Sequence, residues 1–242
     1  MVLSESLRES NPCEVQLALT TAVSWERRGL ERLFQLPGSA SSAENPVRRF
    51  FYQGKKMCLV DTGMGPASAS VRLRAALRIV RPKVLIVTGF AGALQEGLKT
   101  GEVVTDLLEN SSWDGALSAT FSETGIPFHR GKILTSPKVL RTPAEKRWEG
   151  RNASALAVDM ESEPVHRICK DAGIESFTLR VILDEVEQAI PRLAFWWGAD
   201  RWKAAASLWR AGEVKDLVRL YGSARAARRN LYRFVGAFIE RI

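Results

Sequence analysis

Hydrophobic and polar positions along this chain alternate between a period near two and a period near three and a half. The run VQLALTTAV, residues 15–23, is short and apolar enough for a buried strand, and SWERRGLERLF after it spaces its apolar positions three and four apart, as a helix does. LPGSASSAENP, 36–46, reads as a surface loop, and VRRFFYQGKKMCLVDTG as a hairpin of FFY, a QGKK turn and MCLVD. VRLRAALRIV, 71–80, is an amphipathic helix that Pro82 ends. KVLIVTGFAGAL, 83–94, is a buried strand entering a glycine-containing loop, and GEVVTDLL, 101–108, a further strand. ENSSWDGALSATFSETGIPFHR, 109–130, carries neither period and reads as loop. GKILTS is a strand, SALAVDMES a strand running into a loop, PVHRICKDAG a helix with Pro164 near its start, and ESFTLRVILDEV a strand. The tail after 191 reads as a loop and two basic helices before FVGAFIERI.

Strands alternating with helices at this spacing predict an α/β fold: a three-layer α/β/α sandwich with a central mixed sheet. At 242 residues and 45% hydrophobic content the chain suits one sizeable core. The expected organisation is a flexible N-terminus over 1–12 and a single domain over 13–242, with 191–242 as a basic, aromatic-rich helical extension. No apolar run approaches the roughly 18 residues of a membrane span, and the N-terminal residues lack a basic region followed by an apolar one, so a cytoplasmic protein is expected. Cys13, Cys58 and Cys169 are widely spaced, which suits a reducing compartment, and two histidines, His129 and His166, are too few for a histidine-rich zinc site. Both histidines read as structural or surface residues.

The formal charge of +8 changes the picture only once it is located. The tail from Pro191 holds 11 of the 35 Lys and Arg against 4 of the 27 Asp and Glu, leaving the rest of the chain at +1. A basic tail without a finger, a helix-turn-helix or an RNA-binding aromatic signature does not point to nucleic acid.

Candidate chemistry gathers where parallel strands end, the place such sheets bind ligands. Glu26, Gly63 to Gly65, Thr88 to Gly92, Asp159 to Glu161 and Asp184 all lie at or just beyond predicted strand ends. AVDMES, 157–162, sets Asp159 and Glu161 around Met160, and two close carboxylates are costly to bury without partners. Each residue also has a plainer reading. Glu26 can be a solvated helix residue, Asp184 a cap or a salt-bridge partner of Arg180, Met160 generic core, and the glycines tight turns.

Four blocks resemble the nucleoside phosphorylase and nucleosidase superfamily, in the family's order: DTGMGPASAS at 61–70, VLIVTGFAGALQEGLKTGEVV at 84–104, AVDMES at 157–162 and LRVILD at 179–184. The resemblance spans about residues 13 to 186. It implies that Glu26 positions and activates an attacking water, as in the methylthioadenosine and S-adenosylhomocysteine nucleosidases. It implies that Asp184 protonates, or hydrogen-bonds to, purine N7, that Glu161 grips the ribose hydroxyls and that Met160 packs on the sugar. Asp159 then binds backbone or a neighbouring arginine. Gly63, Met64, Gly65, Thr88, Gly89, Phe90, Ala91 and Gly92 complete the binding set, and Val139 stands where the family has an aromatic against the base. The implied activity is hydrolysis of the N-glycosidic bond of a 5′-substituted adenosine in a homo-oligomer, with no cofactor, metal or nucleic-acid partner. Bacterial purine phosphorylases carry an arginine and a serine where this chain has Val87 and Phe90, which favours water over phosphate, although Arg27 or Arg28 can still point inward. A phosphorylase or a silent nucleoside-binding protein remains the alternative.

The tail is similar to the carboxyl ends of the hopanoid-associated members of this superfamily, which remove adenine from adenosylhopane. It sets Trp196, Trp197, Trp202 and Trp209 beside Arg192, Arg201, Lys203 and Arg210. Basic side chains favour anionic lipid and tryptophans the interface, so 191–242 is a candidate for peripheral membrane contact. Packing of the tail on the domain or on a second subunit is the competing expectation.

Overall fold

The computed structural model describes residues 12–36, 46–191 and 211–242. Among these, nine strands form one mixed sheet. Strand β1 (Cys13–Thr21) lies between β3 (Lys55–Asp61) and β4 (Val80–Ala93), and β4 pairs with β9 (Glu175–Asp184), all in parallel. β2 (Val47–Tyr52) adds antiparallel to β3 at one edge. On the other side β5 (Val103–Thr105) runs antiparallel to β9 and carries β6 (Phe128–Arg130). β8 (Ala157–Asp159) pairs with the end of β4 and with β7 (Ile133–Thr135).

Alternation decides the layers. Met57 and Leu59 of β3 join Leu17, Leu19, Ile86, Phe177 and Leu179 on one face, under α1 (Ser24–Leu33), α3 (Asp114–Thr124) and α6 (Ala211–Arg241). Cys58, Val60, Ala18, Leu85 and Val87 face the other way, beneath α2 (Pro66–Ile79) and α5 (Ser162–Asp171). This is the expected three-layer sandwich with a central mixed sheet. Because β1, β3, β4 and β9 are parallel, their carboxyl ends share one edge.

The boundaries differ from the sequence reading in four places. Helix α2 ends at Ile79, and Pro82 lies inside β4 opposite Val15. Pairing of β4 with β9 begins only at Val84, so the proline's missing N–H meets no β9 carbonyl. The segment 109–130, expected as loop, holds α3 and β6. Its helix buries only Leu117 and Thr120 and has no apolar stripe to announce it; Asp114 instead ties down the entry by accepting from the Asn110 N–H and the Ser111 hydroxyl. A helix the sequence reading lacked, α4 (Pro143–Ala153), follows Thr142, whose hydroxyl accepts from the Glu145 N–H while Glu145 accepts from the Thr142 N–H. Finally, the described tail, 211–242, is one 31-residue helix that continues through FVGAFIERI. From Ala227 onward it buries Leu231, Phe234, Val235, Phe238 and Ile239 against the sheet. For that stretch, packing on the domain is what the structure shows. Residues 1–11 and 192–210, with the four tryptophans, lie outside the described residues.

Candidate active site

Glu26 sits in the first turn of α1, directly after β1, and is buried. One carboxylate oxygen accepts from the backbone N–H groups of Ala22 and Val23, at 2.8 and 3.1 Å. Burial nevertheless pushes its carboxyl up to about 7, outweighing the downward pull of the Arg180 guanidinium and of those two hydrogen bonds. The solvated-helix reading therefore does not hold for Glu26.

Arg180 of β9 is the hub of the site, buried to 1% exposure. Its Nε donates to Asp159 Oδ2 at 3.0 Å, its Nη2 reaches Glu161 Oε2 at 2.9 Å, and its Nη1 donates to the Thr88 carbonyl at 3.0 Å. Burial disfavours its charge, but Asp159, Glu161 and Glu26 together raise its proton affinity above the usual arginine value. Gly89, next to Thr88, has φ +130°. A Cβ there would stand 2.4 Å from Arg180 Nη1 and 2.6 Å from Glu26 Oε1, so the absence of a side chain is what lets both groups approach the strand here.

The AVDMES carboxylates thus have partners, and they divide the work. Asp159 serves structure: besides Arg180 it accepts from the Thr135 hydroxyl at 2.9 Å and from the N–H and hydroxyl of Ser162 at the start of α5. Glu161 Oε1 accepts from the Gly65 N–H at 2.8 Å, which fastens the β3–α2 turn to the β8–α5 turn. Gly63 and Gly65 both have positive φ in that turn, and Met160 Cε lies 3.9 Å from where a Gly65 Cβ would be. Met64 between them is exposed. Thr88 donates its hydroxyl to the Thr20 carbonyl at 2.5 Å, and Ala91 packs into a small core with Ala93, Leu98, Val104 and Ile182.

Asp184 closes β9, buried to 3% exposure. Its partner is not Arg180, as one sequence reading had it. Four residues along a strand separate the two by about 13 Å, and Arg180 is held by Asp159 and Glu161. Lys146 of α4 makes the pair instead, with Nζ 2.5 Å from Asp184 Oδ2. Burial raises the proton affinity of Asp184 and Lys146 opposes it, with a net upward result. Gly92 faces this carboxylate, its would-be Cβ 3.1 Å from Oδ2. Lys146 escaped the sequence reading because α4 itself did.

Phe90 stacks on Trp25, ring centroids 4.6 Å apart and planes 19° apart, beside Glu26 and Gly89 in sequence. Arg27 pairs with Glu31 at 3.0 Å, and Arg28 reaches the Ser24 hydroxyl at 3.4 Å. Val139 lies half-buried in the turn after β7, where the Ser136 N–H donates to the Asp159 carbonyl. His129 contacts Glu102, and His166 contacts Asp106, Ser176 and Thr178, away from the three acids. Among the described residues no cluster of His, Cys, Asp and Glu is arranged to hold a metal.

Known proteins share this fold. The Phosphorylase superfamily pattern matches residues 16–105 and 108–217. In sequence the chain is 26% identical over 157 residues to a DeoD-type purine nucleoside phosphorylase of Exiguobacterium sp., covering 56% of this chain and 65% of the relative. It is 27% identical over 155 residues to the DeoD-type enzyme of Clostridium perfringens, covering 56% and 66%. The match thus spans just under two thirds of these relatives. In fold it resembles futalosine hydrolase of Helicobacter pylori, with a TM-score of 0.70 at 15% identity over 94% of this chain and 99% of that one. It also resembles the 5′-methylthioadenosine/S-adenosylhomocysteine nucleosidase of the same organism, with a TM-score of 0.70 at 14% identity over 96% and 100%. Identities this low speak for the fold alone. With the family pattern running through all five strand-end groups, from Glu26 to Asp184, the chain belongs to the phosphorylase superfamily.

Proposed function

We propose that this protein hydrolyses the N-glycosidic bond of a 5′-substituted adenosine and releases adenine. The observation that carries the reading is the meeting of three buried acids, Glu26, Glu161 and Asp184, at one sheet edge, two of them with raised proton affinity and the third fastened to Arg180. Breaking the bond sends its electron pair to the base and leaves positive charge on the ribosyl ring, so the reaction needs a proton at the base and a base for water. Asp184 gives its proton to purine N7. Water forms the new bond to C1′ and loses a proton to Glu26, whose carboxyl at about 7 is matched to neutral pH. Glu161 accepts from the ribose hydroxyls, and Met160, over Gly65, packs on the sugar.

Phosphorolysis is the second reading, supported by the DeoD-type relatives. Against it, the Phe90–Trp25 stack places apolar rings where a phosphate needs donors, and Arg180 is already shared by Asp159 and Glu161. The narrower form of the proposal, a lipid-linked 5′ substituent such as adenosylhopane, is supported by the tryptophans and basic residues of 192–210. The apolar face of α6 from Ala227 is used in packing and adds nothing to it. Among the described residues no helix is long and apolar enough to cross a membrane.

Incubation with a panel of adenosines and inosines differing at the 5′ carbon tests the reading. Adenine release from 5′-substituted adenosines is expected. Release from none, or from inosines only, would sink it. Flotation with anionic vesicles at low salt tests the lipid-linked form, which requires the intact chain to bind.

A further inference from the structure

Lys146 is among the largest fully buried side chains of the protein, at 0% exposure, and a buried ammonium needs a built site. Its three N–H donors meet three acceptors: Asp184 Oδ2 at 2.5 Å, the Glu185 carbonyl at 2.9 Å and the Gln188 carbonyl at 2.7 Å. The helix that delivers it is seated by Gly150. A Cβ at Gly150 would stand 2.6 Å from the Leu94 carbonyl, so only a glycine lets α4 lie this close to the end of β4. Lys146 is four residues before Gly150 and shares its helix face. The 185–190 segment closes over the amine, and its Ile190 N–H donates to the Arg141 carbonyl just before α4.

We propose that Lys146 is the positioning residue for proton transfer, holding Asp184 by one oxygen and stabilising the carboxylate left when the proton goes to the base. This deepens, and rests on, the reading of Asp184 as donor. Among the described contacts Lys146 engages Oδ2, which leaves Oδ1 to meet the purine. As the C1′–N bond breaks, the Asp184 proton moves to the base nitrogen and the new carboxylate lies against the ammonium, which stays protonated. A carboxyl alone in an apolar site would hold its proton too tightly to give it away; the lysine makes it a stronger acid without exposing it to water. The other charges nearby are engaged elsewhere. The Glu185 carboxylate accepts from Lys99 Nζ and the Thr100 N–H, Arg147 pairs with Glu187, and Arg180 is bound to Asp159 and Glu161.

The test compares Lys146→Met and Lys146→Arg by the pH profile of kcat/KM. Activity needs Asp184 protonated, so its alkaline limb reports that carboxyl. K146M is expected to move the limb up by about 1 to 3 pH units and to lower kcat with KM little changed. K146R, which keeps the charge, is expected to leave the limb near the wild-type position. A K146M limb that stays in place, or one that K146R moves equally, overturns the proposal and makes Lys146 a packing residue. Lys146→Gln reads the same limb if K146M does not fold. Carboxyl 13C NMR of Asp184, assigned by its loss in D184N, follows the titration without turnover. An upward shift in K146M or K146Q there upholds the electrostatic role even if no nucleoside is cleaved, and its absence rejects that role even in an active enzyme.

Discussion

Glu26→Gln is expected to stabilise the protein at alkaline pH while abolishing its activity. The folded state holds the Glu26 carboxyl at about 7 where an unfolded chain has 4.5. Below 4.5 both states are protonated and the contribution is complete. Between 4.5 and 7 the unfolded chain releases its proton while the folded one keeps it, so stability falls as pH rises. Above 7 both are ionised and the loss is complete. At about 1.4 kcal/mol per pH unit the difference amounts to about 3 kcal/mol, a cost that an uncharged glutamine never incurs. The amide of E26Q still offers a carbonyl oxygen to the Ala22 and Val23 N–H groups. Urea unfolding of wild type and E26Q at pH 4 and pH 8 measures it. The stability of E26Q relative to wild type should rise by about 3 kcal/mol between the two, or roughly 6 to 12 °C in Tm for a chain of this size. An unchanged difference between the two proteins across that range would refute the raised proton affinity of Glu26 and with it the match to a general base at neutral pH.

Two further substitutions probe the same edge of the sheet, and a third the packing of α6 on α1. Asp184→Asn keeps the shape of the donor without its proton, and kcat should fall by on the order of 10²- to 10⁴-fold, read by adenine release. Arg180→Met leaves Asp159 and Glu161 buried without their cation and should cost about 3 to 5 kcal/mol in urea unfolding. Gly29→Ala would put a Cβ 1.7 Å from the Tyr232 ring, which packs α6 on α1 and donates its hydroxyl to the Trp25 carbonyl. It should cost about 1 to 3 kcal/mol, measured as a lower urea midpoint with unchanged slope.

What the sequence made legible follows from where its apolar residues lie. The runs that became β1, β4 and β9 stand out because central strands are buried on both faces, and the glycines and acids at their ends mark the ligand edge. AVDMES drew notice because paired carboxylates need partners. Their common partner, Arg180, entered the sequence reading only as an alternative partner of Asp184, since nothing local shows that Asp159, Glu161 and the Thr88 carbonyl converge on it. Helix α4 was illegible for a sharper reason: the residues it buries, Lys146 and Gly150, are four apart as a helix requires, but neither carries the apolar side chain that would show the spacing. Only the Thr142–Glu145 capping box announced it. The Trp25–Phe90 stack joins two distant segments and exists only once β1 lies beside β4.

Water, not phosphate, is the nucleophile proposed to attack C1′. Turnover of a 5′-substituted adenosine in water enriched in 18O, with and without added phosphate, tests it by mass spectrometry of the sugar. Hydrolysis predicts a free sugar that gains one 18O at C1′ at the same rate in both conditions. A sugar 1-phosphate formed only when phosphate is present would contradict it.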